Sequence, residues 1–153
     1  MKVYRLTKSK YANLLDGKGA AKSTNRWNSK GIEMIYTAES RSLAMAEVLV
    51  HLSLANLPSK MSMVEIEIPQ TIKFEKVELN QLSSDWNCHP PSIKTQLLGD
   101  EFIQSKKALI CRVPSAVVKG DFNYLINPNH PEISKVTVVK ISDFPFDKRI
   151  FEG

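Results

Sequence analysis

Two cysteines are all the chain has, and neither Cys88 nor Cys111 belongs to a Cys-x-x-Cys pair or has a histidine at metal-ligand spacing. That scarcity gives no basis for a zinc site or a disulfide framework and fits a reducing cytosol. The N-terminal run Met1 to Lys8 lacks the apolar core of a signal peptide, and no uncharged run approaches the ~20 residues needed to span a bilayer. These absences predict a soluble, cytoplasmic protein with no membrane partner. Gly-x-Gly-x-x-Gly and Gly-x-x-x-x-Gly-Lys loops are missing, and so are repeats and low-complexity tracts. Basic runs are missing as well. The formal charge of +5 and pI near 9.2 suit a polyanionic partner, but the lysines are dispersed, which reads as a solvated basic surface.

What is present fits one domain, residues 1–153, with 42% hydrophobic and 24% charged residues. Val3 to Leu6 alternates as a strand and leads into a long loop, Lys8 to Asn25, carrying Gly17, Gly19 and Ser23. Met34 to Tyr36 reads as a strand. Ser40 is a candidate N-cap for a helix running to about His51. Met63 to Ile68 alternates, which places Glu65 and Glu67 toward solvent, and Ile72, Phe74 and Val77 extend the pattern. A helix from Ser92 to about Ser105 is expected to bend near Gly99. Ala108 to Val113, Phe122 to Ile126 and Val136 to Ile141 complete about seven short strands, with a rigid turn at Asn127 to Pro131. Two main helices and no regular strand-helix alternation predict an α+β fold.

Four residues could carry chemistry. Arg26, in a polar turn, either clamps a phosphate or carboxylate bidentately or stacks on Trp27 as a surface residue. Tyr36 is either a core aromatic or a ring that stacks on a flat ligand. Glu47 lies in a helix that is apolar on almost every side, where an isolated carboxylate would cost several kcal/mol. It is therefore paired, with His51 one turn later as a candidate, or held in a cleft for function. Ser115 follows Pro114 at a strand end and by itself reads as a turn residue or cap; His130 reads only as a turn residue.

Tyr4-Arg5-Leu6, Arg26-Trp27-Asn28 with Gly31, Tyr36-Thr37, Ala46 to Leu52, Arg112-Val113-Pro114-Ser115 and Asn127-Pro128-Asn129-His130-Pro131 together resemble the RES domain. That family is named for an arginine, a glutamate and a serine, here matched by Arg26, Glu47 and Ser115. The resemblance runs over essentially the whole chain. It implies a fold similar to ADP-ribosyltransferase toxins and a bacterial type II toxin that cleaves NAD+, as substrate and not as cofactor, at the nicotinamide-ribose bond. It further implies Glu47, Arg26 and Ser115 as catalytic residues, Arg26, Tyr36 and Ser115 as substrate contacts, and no metal. The implied partner is an Xre-type antitoxin, with nucleic acid reached only through it, and a homo-oligomer is compatible with the family. Transfer of ADP-ribose to a macromolecule is the nearest alternative, and a nonenzymatic nucleic-acid-binding module a more distant one.

Overall fold

The computed structural model describes residues 1–152. Seven strands form one sheet: β1 (Lys2–Lys8), β2 (Ile35–Ala38), β3 (Met61–Glu67), β4 (Phe74–Lys76), β5 (Ile110–Pro114), β6 (Phe122–Ile126) and β7 (Thr137–Asp143). Their order across the sheet is β4-β5-β6-β2-β1-β3-β7. Only the β4–β5 pairing is parallel. Three helices accompany them, the four-residue α1 (Lys18–Ala21), α2 (Arg41–Leu49) and α3 (Ile93–Ser105). This is the α+β architecture that the strand count and the absence of regular alternation predict.

The sheet is nearly two sheets. β1 and β3 pair along seven residues and β2 and β6 along four, but β1 and β2 share a single pair, Tyr4 with Ala38. Beyond that pair the strands diverge, and a cleft opens between the halves. Residues opposite one another on paired strands present side chains to one face. The row Tyr4, Ala38, Asn123, Val113 crosses the junction on that principle, and the row Tyr36, Leu125, Cys111 lies beside it on the same face.

Both longer helices cover this face. α2 starts at Ser40, whose hydroxyl accepts from the Leu43 amide at 3.1 Å, and packs Leu43 and Ala44 against Leu6, Ala38, Met61 and Met63. α3 starts at Ser92, which accepts from the Lys94 amide at 3.2 Å, and sets Phe102 and Ile103 on Trp27, Cys111, Val113 and Leu125. The opposite face gathers Val3, Ile35, Val64, Ile66, Ile110 and Ile126 into a separate core. Under α3, burial pushes the Cys111 thiol up to about 12, so it stays protonated.

Four expectations are corrected. The segment Lys8 to Asn25 is not one irregular loop, since it holds a 3-10 turn at Ser9–Tyr11 as well as α1. α3 runs unbroken through Gly99. α2 buries only Leu43 and Ala44, while Val50 just beyond it is 59% exposed; a cleft, not core, lies under part of the helix. Glu65 does not face solvent. It is 5% exposed on β3, a central strand covered on both sides, and Arg41 from the start of α2 pairs with it, as does Lys2 at 3.7 Å.

The hydrogen bond from Arg41 holds the Glu65 carboxyl below the usual carboxylate range, against the opposing effect of desolvation. A lowered folded pKa stabilises the fold above the unfolded value, and the contribution is lost as pH falls through the folded value. Glu65→Gln should therefore lower the melting temperature at pH 7, and the gap to wild type should close below about pH 4. Thermal unfolding of both proteins across that range measures it.

Candidate functional site

The cleft where β1 and β2 part encloses a cavity of about 490 Å3, within the range of ~300–1,000 Å3 usual for small-molecule sites. Its walls come from β1, the loop through Arg26, β2, one face of α2 and the β5–β6 turn. Ala44, Glu47 and Val48 line it from α2, at the spacing that puts residues on one helical face, and Val50 and His51 from the turn just past its end.

Glu47 is held from the far side of the chain. The Ser115 hydroxyl donates to its Oε1 at 2.7 Å and the Asn123 side-chain amide donates to the same oxygen at 2.6 Å. Ser115 is itself fixed by the turn that follows β5. Its Oγ accepts from the Val117 and Val118 amides at 3.1 and 3.0 Å, and its own amide donates to the Asp121 carbonyl at 2.9 Å. Both lone pairs of that hydroxyl are thereby engaged with backbone donors, and its hydrogen is aimed at the carboxylate. One side chain therefore both caps the turn and hydrogen-bonds Glu47. His51, just past the end of α2, is exposed and makes no hydrogen bond to Glu47, so the pairing expected between them is replaced by Ser115 and Asn123. Among the described residues Glu47 has no salt-bridge partner.

Arg26 reaches the cavity through a guanidinium that is only partly committed. Its Nη1 donates to the carbonyls of Trp86 and Cys88 at 2.9 and 3.1 Å, which ties it to the 86–88 loop, and its other nitrogens make no hydrogen bond among the described residues. Burial lowers its pKa, opposed by the nearby Cys88, Glu47 and Tyr36, and a guanidinium so shifted is still a cation at any physiological pH. The stack on Trp27 that the sequence allows is not the arrangement found. Trp27 turns inward, 2% exposed, and packs on Trp86 with ring centroids 6.2 Å apart.

Tyr36 lines the cavity with a hydroxyl locked behind it, donating to Asn28 Oδ1 at 2.7 Å and accepting from the Trp27 amide at 3.1 Å. Burial raises its pKa, so it remains a donor. Asn28 is wholly buried and its amide donates to the carbonyls of Ala20, Ser29 and Ile32 at 3.0, 3.1 and 3.3 Å. This one side chain therefore organises the whole loop around Arg26. Tyr36→Phe keeps the ring but orphans the Trp27 amide and leaves Asn28 Oδ1 with only the Asn25 amide as donor, at 3.1 Å. It should cost about 1–3 kcal/mol of stability, readable as a lower denaturant midpoint, while ligand stacking on the ring persists.

Four further side chains around the site are given no individual role by the sequence. Asn123 and Asn28 are polar residues inside apolar or loop segments, and an asparagine within Phe122 to Ile126 runs against strand propensity, which was a usable signal. Arg5 also lines the cavity, with its Nη1 donating to the Leu14 carbonyl at 2.8 Å; alternation along β1 hid it among ordinary surface positions. Asp100 accepts from the amide and hydroxyl of Ser29 at 2.9 and 2.6 Å, joining α3 to the Arg26 loop. His130 is 8% exposed, its Nδ1 accepts from the Glu132 amide at 3.1 Å, and it does not line this cleft, as befits a turn residue. No group of three metal-ligating side chains occurs among the described residues, and no described helix is long and apolar enough to cross a membrane.

Comparison with known proteins matches residues 2–147 to the RES domain. A protein named Toxin Res from Pseudomonas putida is 36% identical over 145 residues, covering 94% of this chain and 96% of its own. A protein named Prs ADP-ribosylating toxin from Sphingobium is 33% identical over 141 residues, covering 91% and 88%. The fold is shared with a chain in the crystal structure of the M. tuberculosis MbcT-MbcA toxin-antitoxin complex, at a TM-score of 0.75 and 18% identity, over 94% of this chain and 83% of that one. Arg26 and Glu47 line one cleft, with Ser115 buried and bonded to Glu47, in a chain that belongs to the RES domain family.

Proposed function

We propose that this chain is the toxin of a bacterial toxin-antitoxin pair and that it cleaves NAD+ at the nicotinamide-ribose bond, with an Xre-type antitoxin as its protein partner. The observation that carries the reading is Glu47, a carboxylate on a cavity wall with no salt bridge among the described residues, held by two donors on one oxygen. A carboxylate kept in that state is suited to a positive charge that appears only during reaction.

Cleavage of this bond passes through an oxocarbenium-like sugar. The C1′–N bond breaks with its electron pair moving to the pyridinium nitrogen, which leaves as neutral nicotinamide, so no general acid is needed. The charge left on C1′ and the ring oxygen is stabilised by Glu47. Water then bonds to C1′ and releases a proton to solvent, giving ADP-ribose; inorganic phosphate in place of water gives ADP-ribose 1″-phosphate. Arg26 supplies the free nitrogens of its guanidinium to the pyrophosphate, Tyr36 its ring to the nicotinamide or ribose, and Ser115 its hydrogen to Glu47.

A second reading is supported by the Sphingobium relative, whose printed name is that of an ADP-ribosylating toxin. In it the acceptor at C1′ is a nucleophile on a macromolecule. NAD+ labelled in the adenylate half, incubated with the chain, phosphate and a bacterial extract, separates the routes. Free labelled ADP-ribose or its 1″-phosphate is expected, and label bound to a macromolecule would replace cleavage by transfer.

A further inference from the structure

Asn123 stands in β6 directly opposite Ala38, which with Tyr4 makes the single strand pair that joins the two halves of the sheet among the described residues. It is 9% exposed, among Tyr124, Leu125 and Ile126, which are buried as well. A strand interior seldom holds asparagine, because its short amide packs poorly and must be satisfied. This one is satisfied on one side only. Its Nδ2 donates to Glu47 Oε1 at 2.6 Å, and its Oδ1 is buried with no donor. The carboxylate fixes the orientation of the amide, since turning it over would set oxygen against oxygen. An orphaned buried carbonyl destabilises a fold, and an apolar residue here would remove it. The position therefore retains an amide for the single donor it offers.

That donor completes a geometry Ser115 cannot provide alone. One hydrogen bond leaves a carboxylate free to rotate about its last torsion, which is broad for glutamate. Two donors converging on Oε1, from the end of β5 and from β6, fix the plane of the group and leave Oε2 without a described partner. We propose that Asn123 is a positioning residue for Glu47, acting with Ser115 to select Oε2 as the oxygen presented to the reacting sugar. The inference rests on the NAD+-cleaving reading of the site.

The test is steady-state kinetics of NAD+ consumption by purified wild type, Asn123→Ala and Asn123→Asp, with thermal unfolding of each. A group that only aims another contributes when charge develops on the substrate, so its loss falls on kcat and spares KM. Asn123→Ala should lose roughly 10–100-fold in kcat with KM within about threefold, and should keep its melting temperature within a few degrees. Asn123→Asp keeps the shape but turns the donor into a like charge beside Glu47, and its kcat should fall at least as far. Wild-type kcat in Asn123→Ala or Asn123→Asp would overturn the proposal alone. So would failure of both variants to fold, or a loss confined to KM. Wild-type protein that leaves NAD+ intact would remove the function reading and this inference with it.

Discussion

Glu47→Gln should leave a folded protein that consumes NAD+ about 10³-fold more slowly than wild type, with KM little changed. The size follows from what the carboxylate is asked to supply. Removing one preorganised electrostatic contact at a developing charge costs ~10²–10³ in kcat. Here the lost contact is a full charge in a cleft partly shielded from water. At about 1.36 kcal/mol per decade, 10³ corresponds to roughly 4 kcal/mol of transition-state stabilisation. The fold should persist, because the glutamine carbonyl accepts from Ser115 and Asn123 as the carboxylate does. Turnover by Glu47→Gln at the wild-type rate, in a preparation with wild-type unfolding, would remove Glu47 from the chemistry.

Gly99→Ala is expected to leave little folded protein. In an exposed helix interior the same exchange would stabilise by up to ~1 kcal/mol, so the predicted sign is opposite to the ordinary one. A Cβ on Gly99 would stand 1.6 Å from the Trp27 carbonyl oxygen and 2.6 Å from its carbon. That backbone has little room to retreat. Trp27 is buried against Trp86, and Ser29, two residues on, is bonded twice to Asp100, the next residue of α3. The cost should exceed the ~1–3 kcal/mol of usual overpacking, against a total stability of ~5–15 kcal/mol. Thermal unfolding reads it directly, and a melting temperature at or above wild type would show that α3 and the Arg26 loop are not in such close contact.

Gly99 also shows where the sequence stops being legible. A glycine inside a helical pattern reads as a breaker, and only the approach of another backbone, which no local pattern encodes, makes it a contact point. Glu65 failed for a similar reason. Alternation predicts one wet face, but β3 lies between β1 and β7 and Arg41 reaches it from α2, so the polar face is covered. The strands themselves were legible, since β-branched alternation bounded by Gly, Pro and Asn marks them well. Glu47 is visible in the sequence as a carboxylate in the apolar middle of a helix, but the candidate partner His51 is local, whereas Ser115 and Asn123 lie 68 and 76 positions away. Ser115 was reached only through the resemblance of the chain to a family. Asn123 and Arg5 line the cleft where β1 and β2 part, a property of the whole sheet, and Asn28 takes its place from the fold of the Arg26 loop.

The most direct measurement is nicotinamide release from NAD+ by the purified chain, followed by chromatography beside folded Glu47→Gln. The account predicts nicotinamide appearing mole for mole with NAD+ lost in the wild-type reaction and only at background with the variant. Intact NAD+ after incubation with wild type, or equal release by the two proteins, would contradict it.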